Sequence, residues 1–190
     1  MDLKKKIELV YNINGFIPLM LRTWAVVFVV KYVNTNIPMD QLSIAKIAIG
    51  ALSVLFLQIC KNDKILDVLS LNLGAVYSIY AFINAGSELI IFIDPFTYLV
   101  VEAIRVGSLD MIISTAFEDS LNTIFIGRDK TNFRSTWNQT KFIAIGLGGL
   151  LGFVFDNINL NIAVIIIVIS DLIIIPANIY LFKLIKEAQK

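Results

Sequence analysis

The chain has 190 residues, of which 57% are hydrophobic and only 16% are charged, and its mean hydropathy is +0.79. A soluble domain has about a quarter of its residues charged, so this composition is typical of an integral membrane protein. The net charge of +1 gives no field that would attract nucleic acid. The chain has no histidine and one cysteine, so the usual zinc ligands and histidine-based catalysis are missing. We therefore expect no enzyme activity, no metal and no cofactor.

A membrane-spanning helix needs about 20 largely apolar residues, and six stretches of the chain are candidates. They cover about residues 15–33, 42–60, 68–93, 96–117, 142–155 and 162–182. The third would end early if residues 86–88 break it, and Pro95 would then kink the fourth. The fifth is short, so we expect polar residues before it to be drawn towards the membrane. The sequence predicts an all-α integral membrane protein, with residues 1–190 forming one six-helix transmembrane bundle.

The basic residues fall on one side of this predicted bundle. Twelve of them lie at the ends that six spans bring together, namely Lys4, Lys5, Lys6, Lys61, Lys64, Arg128, Lys130, Arg134, Lys141, Lys183, Lys186 and Lys190. Only Lys31 lies near the opposite face. Cytoplasmic loops are enriched in Lys and Arg, so we expect a multi-pass inner (plasma) membrane protein with both termini cytoplasmic. Residues 118–141 are then predicted to form a cytoplasmic helix–turn–helix loop.

The fourth predicted span carries three charges in the stretch VVEAIRVGSLDMIIS, residues 100–114. On an α-helix Glu102, Arg105 and Asp110 fall within an arc of roughly 140°. Glu102 and Arg105 can pair at i,i+3, which leaves Asp110 without a partner on its own helix. We expect that partner to be Arg22 of the first span. These four residues are candidates for a solute or proton pathway, and the alternative is a structural ion pair between helices.

Two further charges lie inside predicted spans. Lys46 is a few residues from the outer end of the second span, and we favour an interpretation in which it snorkels to the interface. Asp171 is at the middle of the sixth span, too deep for its short side chain to reach water. It is expected to be protonated, hydrogen-bonded to a neighbouring helix or buried in an oligomer interface. A role in proton coupling makes it a fifth pathway candidate.

The fifth predicted span is rich in glycine. Its glycines are Gly146, Gly148, Gly149 and Gly152. The small-x3-small spacing of Gly148 and Gly152 permits the close approach of another helix. We weigh two interpretations: ordinary packing within the bundle, which we favour, and a surface where two halves of a larger assembly meet.

The layout resembles the N-terminal half of a major facilitator superfamily transporter. The stretch EDSLNTIFIGRDKTNFRSTWNQTKFIAIGLGGLLG, residues 118–152, is similar to the end of span four, the basic loop and the Gly-rich fifth span of its drug-efflux members. The chain departs from the family after span two, where QICKNDKILDV keeps only Asp63 and Lys64 of a longer signature. The family normally has twelve spans, and its span five has a proline next to a glycine. The resemblance implies half of a transporter, in which spans one and four line a central substrate cavity.

Two functions from different classes follow. The first is a transporter-like half that moves a small solute, as a homodimer or with a second membrane protein in the lipid bilayer. The alternative is a non-transporting inner-membrane binding protein, such as an immunity or exclusion factor against a pore-forming toxin. It is favoured by the small size, the missing loop signature and a composition rich in Asn, Ile and Lys. A toxin gene next to the coding sequence would favour this alternative.

Overall fold

The structure is a computed structural model that describes residues 2–59 and 62–189, apart from a few side chains between residues 59 and 71. Its helices are α1 Leu3–Asn36, α2 Met39–Ile59, α3 Asp63–Leu71, α4 Leu73–Leu89, α5 Pro95–Ile104, α6 Met111–Ile124, α7 Arg128–Val154 and α8 Leu160–Ala188. No strand occurs in the described residues, and the predicted all-α class is confirmed. Cys60, Lys61 and Lys190, which the sequence interpretation used, lie outside the described residues.

Four helices in the described part of the chain are long and apolar enough to cross a membrane. They are α1, the first 20 residues of α2, α4 with a 3₁₀ turn that extends it to Phe92, and α8. This finding supports the predicted membrane character and covers the first, second, third and sixth predicted spans. The fourth and fifth are not among these four helices. A π-helical turn, Arg105–Asp110, interrupts the fourth, and the fifth is the apolar end of α7, whose first half is polar.

The third predicted span begins later in the structure than predicted and ends within one residue of its predicted end. Residues 68–71 belong to α3, and α4 begins only after Asn72. The alternative, a break at residues 86–88, does not occur, since α4 continues through them to Leu89. The chain instead turns at Asp94, after the 3₁₀ turn, so Pro95 begins α5 and does not kink a longer helix.

Asp94 fixes the start of α5. Its carboxylate accepts bonds from the Thr97 backbone N at 2.6 Å and the Thr97 hydroxyl at 2.8 Å. These bonds lower the pKa of Asp94, the backbone bond having the largest effect. Pro95 stands at the first helical position, where its missing N–H leaves no helical bond unmade. The residue pattern Asp-Pro-x-Thr therefore starts a helix at Pro95, within one residue of the predicted start of the fourth span.

The helices pack in two groups. Helix α1 packs against α7 and α8, and α8 also packs against α4. Helices α5 and α6 and the π turn between them run as one continuous helix over residues 95–124, here the joined helix α5–α6, which packs along α2. The joined helix also contacts α4. A space is left between the two groups.

Two apolar cores lie at opposite ends of this bundle. One contains Ile7, Leu73, Phe117, Phe125, Phe133 and Ile185. The other contains Ala25, Val29, Ile91, Tyr98, Val164 and Ile167. The first core therefore gathers the ends of α1 and α8 near the chain termini with the turn between α6 and α7. The polar side chains described next lie between the two cores.

Candidate functional site

A central cavity of about 610 Å³ lies between the helices. Its walls come from α1, α4, the joined helix α5–α6 and α8, and Trp137 of α7 closes part of it. A volume of this size is within the range of small-molecule sites. Its polar wall includes Arg22, Tyr80, Asn84, Glu102, Arg105 and Asp171.

Arg22 is the centre of one charged group in this wall. Its Nη1 donates to Asp171 Oδ1 at 2.7 Å and its Nη2 donates to Glu88 Oε1 at 2.8 Å. Tyr98 donates its hydroxyl to the other Glu88 oxygen at 3.1 Å. Only 2% of Glu88 and 4% of Asp171 is exposed. One guanidinium on α1 thus ties together α4 and α8, and we name Arg22, Glu88, Asp171 and Tyr98 the Arg22 cluster.

The Arg22 cluster contradicts the predicted partner of Asp110 and shows which residue pairs with Asp171. The predicted pair between Arg22 and Asp110 is wrong, because both terminal nitrogens of Arg22 are bound to other carboxylates. Asp171 has Arg22 as its partner, so of the three expected states the structure shows a bond to a neighbouring helix. Asp171 reaches this partner because α1 and α8 pack along each other.

Arg105 is the centre of a second charged group. Its Nε donates to Glu102 Oε2 at 2.9 Å, a second bond joins its Nη2 to Glu102 Oε1, and the predicted i,i+3 pair is therefore present. Its Nη1 donates to the Tyr80 hydroxyl at 2.6 Å, and that hydroxyl donates to Asp110. We name Arg105, Glu102, Tyr80 and Asp110 the Arg105 cluster.

The π turn explains why Asp110 belongs to this cluster. On a regular α-helix Arg105 and Asp110 point well apart, and the sequence interpretation assumed that geometry. In a π turn the backbone bond joins residues five apart, which is the separation of these two side chains. Asp110 Oδ2 lies 3.8 Å from Arg105 Nη1 as a result. Asp110 therefore has an ion-pair partner on its own helix, which the α-helical spacing had excluded.

Three polar residues of α4 were missed by the sequence interpretation. Tyr80, Asn84 and Glu88 follow one another at intervals of four residues, which places them on one face of α4. That spacing inside an otherwise apolar span was the available signal. It was overlooked because Glu88, next to a glycine and a serine, resembled the end of a span.

Two buried oxygen atoms in the cavity wall have no hydrogen-bond partner among the described residues. They are Asn84 Oδ1 and Asp171 Oδ2. Asn84 is 5% exposed, and its amide N–H lies close enough to the Asp171 carboxylate to act on it as a donor. Both atoms accept hydrogen bonds and neither can donate one while Asp171 is ionised. A buried acceptor without a donor costs about 1–3 kcal/mol, so this part of the wall favours a hydrogen-bond donor.

The charges of the two clusters do not balance. They contain the guanidiniums of Arg22 and Arg105 and the carboxylates of Glu88, Glu102, Asp110 and Asp171. Two positive charges against four negative ones leave a net charge of −2 when all are ionised. The described residues contain no group of three or more His, Cys, Asp or Glu side chains placed to hold a metal ion. The excess negative charge favours protons or a cation in the cavity.

Aromatic rings form the end of the cavity nearest the first apolar core. Tyr77 lies 5.4 Å from Phe182 and 5.6 Å from Phe117, measured between ring centroids. Tyr11 stacks on Phe117 at 5.4 Å and meets the edge of Trp137 at 4.8 Å. The cavity thus has a charged middle and an aromatic end.

The predicted glycines have two different environments. A Cβ atom at Gly148 would lie 2.5 Å from the Met20 carbonyl oxygen, and one at Gly152 would lie 3.7 Å from Trp24. Gly148 therefore allows the close approach of α7 to α1 within the chain, whereas a Cβ atom at Gly152 would make only an ordinary contact with Trp24. Gly146 and Gly149 have nothing within 4 Å of such an atom. Their role as a surface between two halves stays a prediction.

Lys46 is exposed on α2 and takes no part in either charged cluster. Its snorkelling therefore stays the favoured interpretation.

No protein-family model, curated protein or solved structure matches this chain.

Proposed function

We propose that this chain is a half-length membrane transporter that moves a small solute, as a homodimer or with a partner half. The observation that carries the proposal is the central cavity, in which six charged side chains are held inside an apolar bundle. Charges at membrane depth are costly and mark substrate or ion pathways in membrane proteins. A cavity of about 610 Å³ offers such a pathway a place to hold a solute.

The proposal includes six membrane spans. The joined helix α5–α6 has 30 residues and α7 has 27 residues, so their lengths are about 45 Å and 40 Å. Both exceed the roughly 30 Å of the hydrocarbon core. The joined helix runs along α2, and α7 runs along α1, and both of these neighbours are apolar enough to span. A helix packed along a spanning helix shares its depth in the membrane.

The main helix contacts support a repeat of three helices. We number α1, α2, α4, the joined helix α5–α6, α7 and α8 as spans one to six. Span one packs on spans five and six, span four packs on spans two and three, and span three packs on span six. If spans one, two and three are exchanged with spans four, five and six respectively, the same set of contacts between spans is obtained. Inverted repeats of three helices build each half of a major facilitator transporter, so the pattern supports the resemblance seen in the sequence.

The charge distribution supports the orientation. The basic residues near the termini and at the start of α7 lie at the end of the bundle that holds the first apolar core. Lys and Arg are enriched on the cytoplasmic side of membrane proteins. We therefore propose that this end, with both termini, faces the cytoplasm of a cell with an inner membrane.

Solute flux separates this proposal from the immunity or exclusion alternative. Purified chain is reconstituted into liposomes, a mixture of small amines, acids and sugars is added outside, and uptake is measured by mass spectrometry. Wild-type vesicles are expected to take up at least one solute. The comparison is the double variant Glu102→Gln/Arg105→Gln, which removes one negative and one positive charge and so keeps the net charge of the cavity. Uptake by this variant is expected to fall about tenfold or more. Absence of uptake, or equal uptake by both proteins, would contradict transport by a homodimer of this chain.

A further inference from the structure

We propose that the central cavity binds a protonated primary amine, whose ammonium group donates hydrogen bonds to Asp171 Oδ2 and Asn84 Oδ1. This inference rests on the proposed function, in that it names the solute class of the same cavity.

The first argument concerns hydrogen bonds. Asp171 Oδ2 and Asn84 Oδ1 are buried in the cavity wall and have no donor in full hydrogen-bonding geometry among the described residues. The Asn84 amide N–H is the group that approaches the Asp171 carboxylate. A primary ammonium carries three N–H donors and no acceptor. It can therefore supply both missing bonds at once, which neither an anion nor a quaternary ammonium can do.

The second argument concerns charge. Both guanidiniums are already engaged, Arg22 by Glu88 and Asp171 and Arg105 by Glu102. An anionic solute would have to displace these carboxylates from their partners. A cation instead reduces the excess of two negative charges in the clusters. The electrostatics of the cavity therefore favour a positively charged group in its middle.

The third argument concerns the body of the ligand. Along α8 the cavity wall runs from Asp171 to Phe182, a distance of about 16 Å for eleven residues. At its far end the rings of Tyr77 and Phe117 lie beside Phe182. Aromatic pairs favour a further ring in an offset or edge contact. An ammonium on a short alkyl chain that ends in an aromatic ring would lie in the charged middle of this space with its ring directed towards the aromatic end.

A ligand series on the wild-type chain tests the inference. The chain is placed in nanodiscs, and equilibrium binding is measured for 2-phenylethylamine, its N-trimethyl quaternary derivative and phenylacetate. We expect the primary amine to bind about tenfold or more tightly than the quaternary cation, because hydrogen bonds to charged groups are among the strong ones. Phenylacetate is expected not to bind. Equal affinity for the two cations, or preference for phenylacetate, would overturn the inference.

Variants of Asn84 locate the site. Asn84→Leu removes the free acceptor and is expected to weaken amine binding about fivefold or more. Asn84→Asp keeps an acceptor of the same shape, and affinity is expected to be retained or increased. Asn132→Leu is the matched control, because Asn132 is exposed on α7 and does not line the cavity. We expect less than a twofold change there. Unchanged binding in Asn84→Leu, or weaker binding in Asn84→Asp, would refute the site.

Different results would contradict the proposed transport and the proposed amine site. Amine binding without any flux in liposomes would refute transport by a homodimer and leave the amine site standing. Flux of another solute by a chain that ignores 2-phenylethylamine would refute the amine site and leave transport standing.

Discussion

Arg22 pairs with two carboxylates on two other helices. Both carboxylates are almost fully buried. An isolated buried charge is strongly unfavourable, and removing one partner of a buried pair costs more than the pair contributes when intact. The Arg22 cluster is therefore a point at which function and stability depend on the same side chain.

Replacing Arg22 is expected to destabilise the chain far more than replacing a surface base of the same helix. Arg22→Gln leaves Glu88 and Asp171 without their cation, and we expect unfolding free energy to fall by about 3 kcal/mol, the lower end for buried pairs since Arg22 is partly exposed. Lys4→Gln breaks the exposed pair with Asp129, with an expected loss of about 1 kcal/mol or less. Denaturant titration in detergent micelles measures both. Equal losses would show that the buried cluster does not hold the helices together.

The sequence was sufficient to find five of the charged residues but not their partners. Arg22, Glu102, Arg105, Asp110 and Asp171 are conspicuous because each interrupts an apolar run. Pairing within one helix follows from spacing, and the Glu102–Arg105 pair was predictable for that reason. Pairing between helices depends on how the helices pack, which one sequence does not specify. The assignment of Arg22 to Asp110 failed on this point.

At the scale of helices, the π turn has the largest consequence for the site. It lets Asp110 reach Arg105 and Tyr80, and it brings Gly107 against α2. A Cβ atom at Gly107 would lie 3.0 Å from the Ile49 carbonyl oxygen. The residue pattern does not predict a π turn, so the sequence interpretation assumes a regular α-helix. That assumption gives the wrong direction for the Asp110 side chain. The Asp94 cap, by contrast, is readable from the sequence once Pro95 is placed at the start of a helix.

The crossing of α1 and α7 gives a prediction whose control is the neighbouring glycine in the sequence. Gly148→Ala places a methyl group against the Met20 carbonyl oxygen and the Thr23 side chain, and we expect a loss of about 1–3 kcal/mol from overpacking. Gly149→Ala meets nothing within 4 Å and is expected to be neutral or to stabilise the helix by up to about 1 kcal/mol. The same denaturant titration compares them. A stable Gly148→Ala chain would contradict the close crossing.

At the scale of the whole molecule, two apolar cores enclose a charged layer. The cores give the bundle its stability at each end, since their side chains are removed from both water and lipid. The layer between them contains the Arg22 and Arg105 clusters and the central cavity. All-α class and membrane character follow from composition and hydropathy alone. The cavity cannot be predicted in this way, because it forms where four separate helices leave a space between them.

The proposed transport requires that the cavity open to each side of the membrane in turn. The direct measurement uses Ser170→Cys in a Cys60→Ser background, because Ser170 is fully buried and lines the cavity. A membrane-impermeant cationic thiol reagent is applied to one face of membrane vesicles and then to the other. Thr35→Cys, in the exposed end of α1, is the control and should react from one face only. We predict that Ser170→Cys reacts from both faces; no reaction, or reaction from a single face, would contradict the proposed transport.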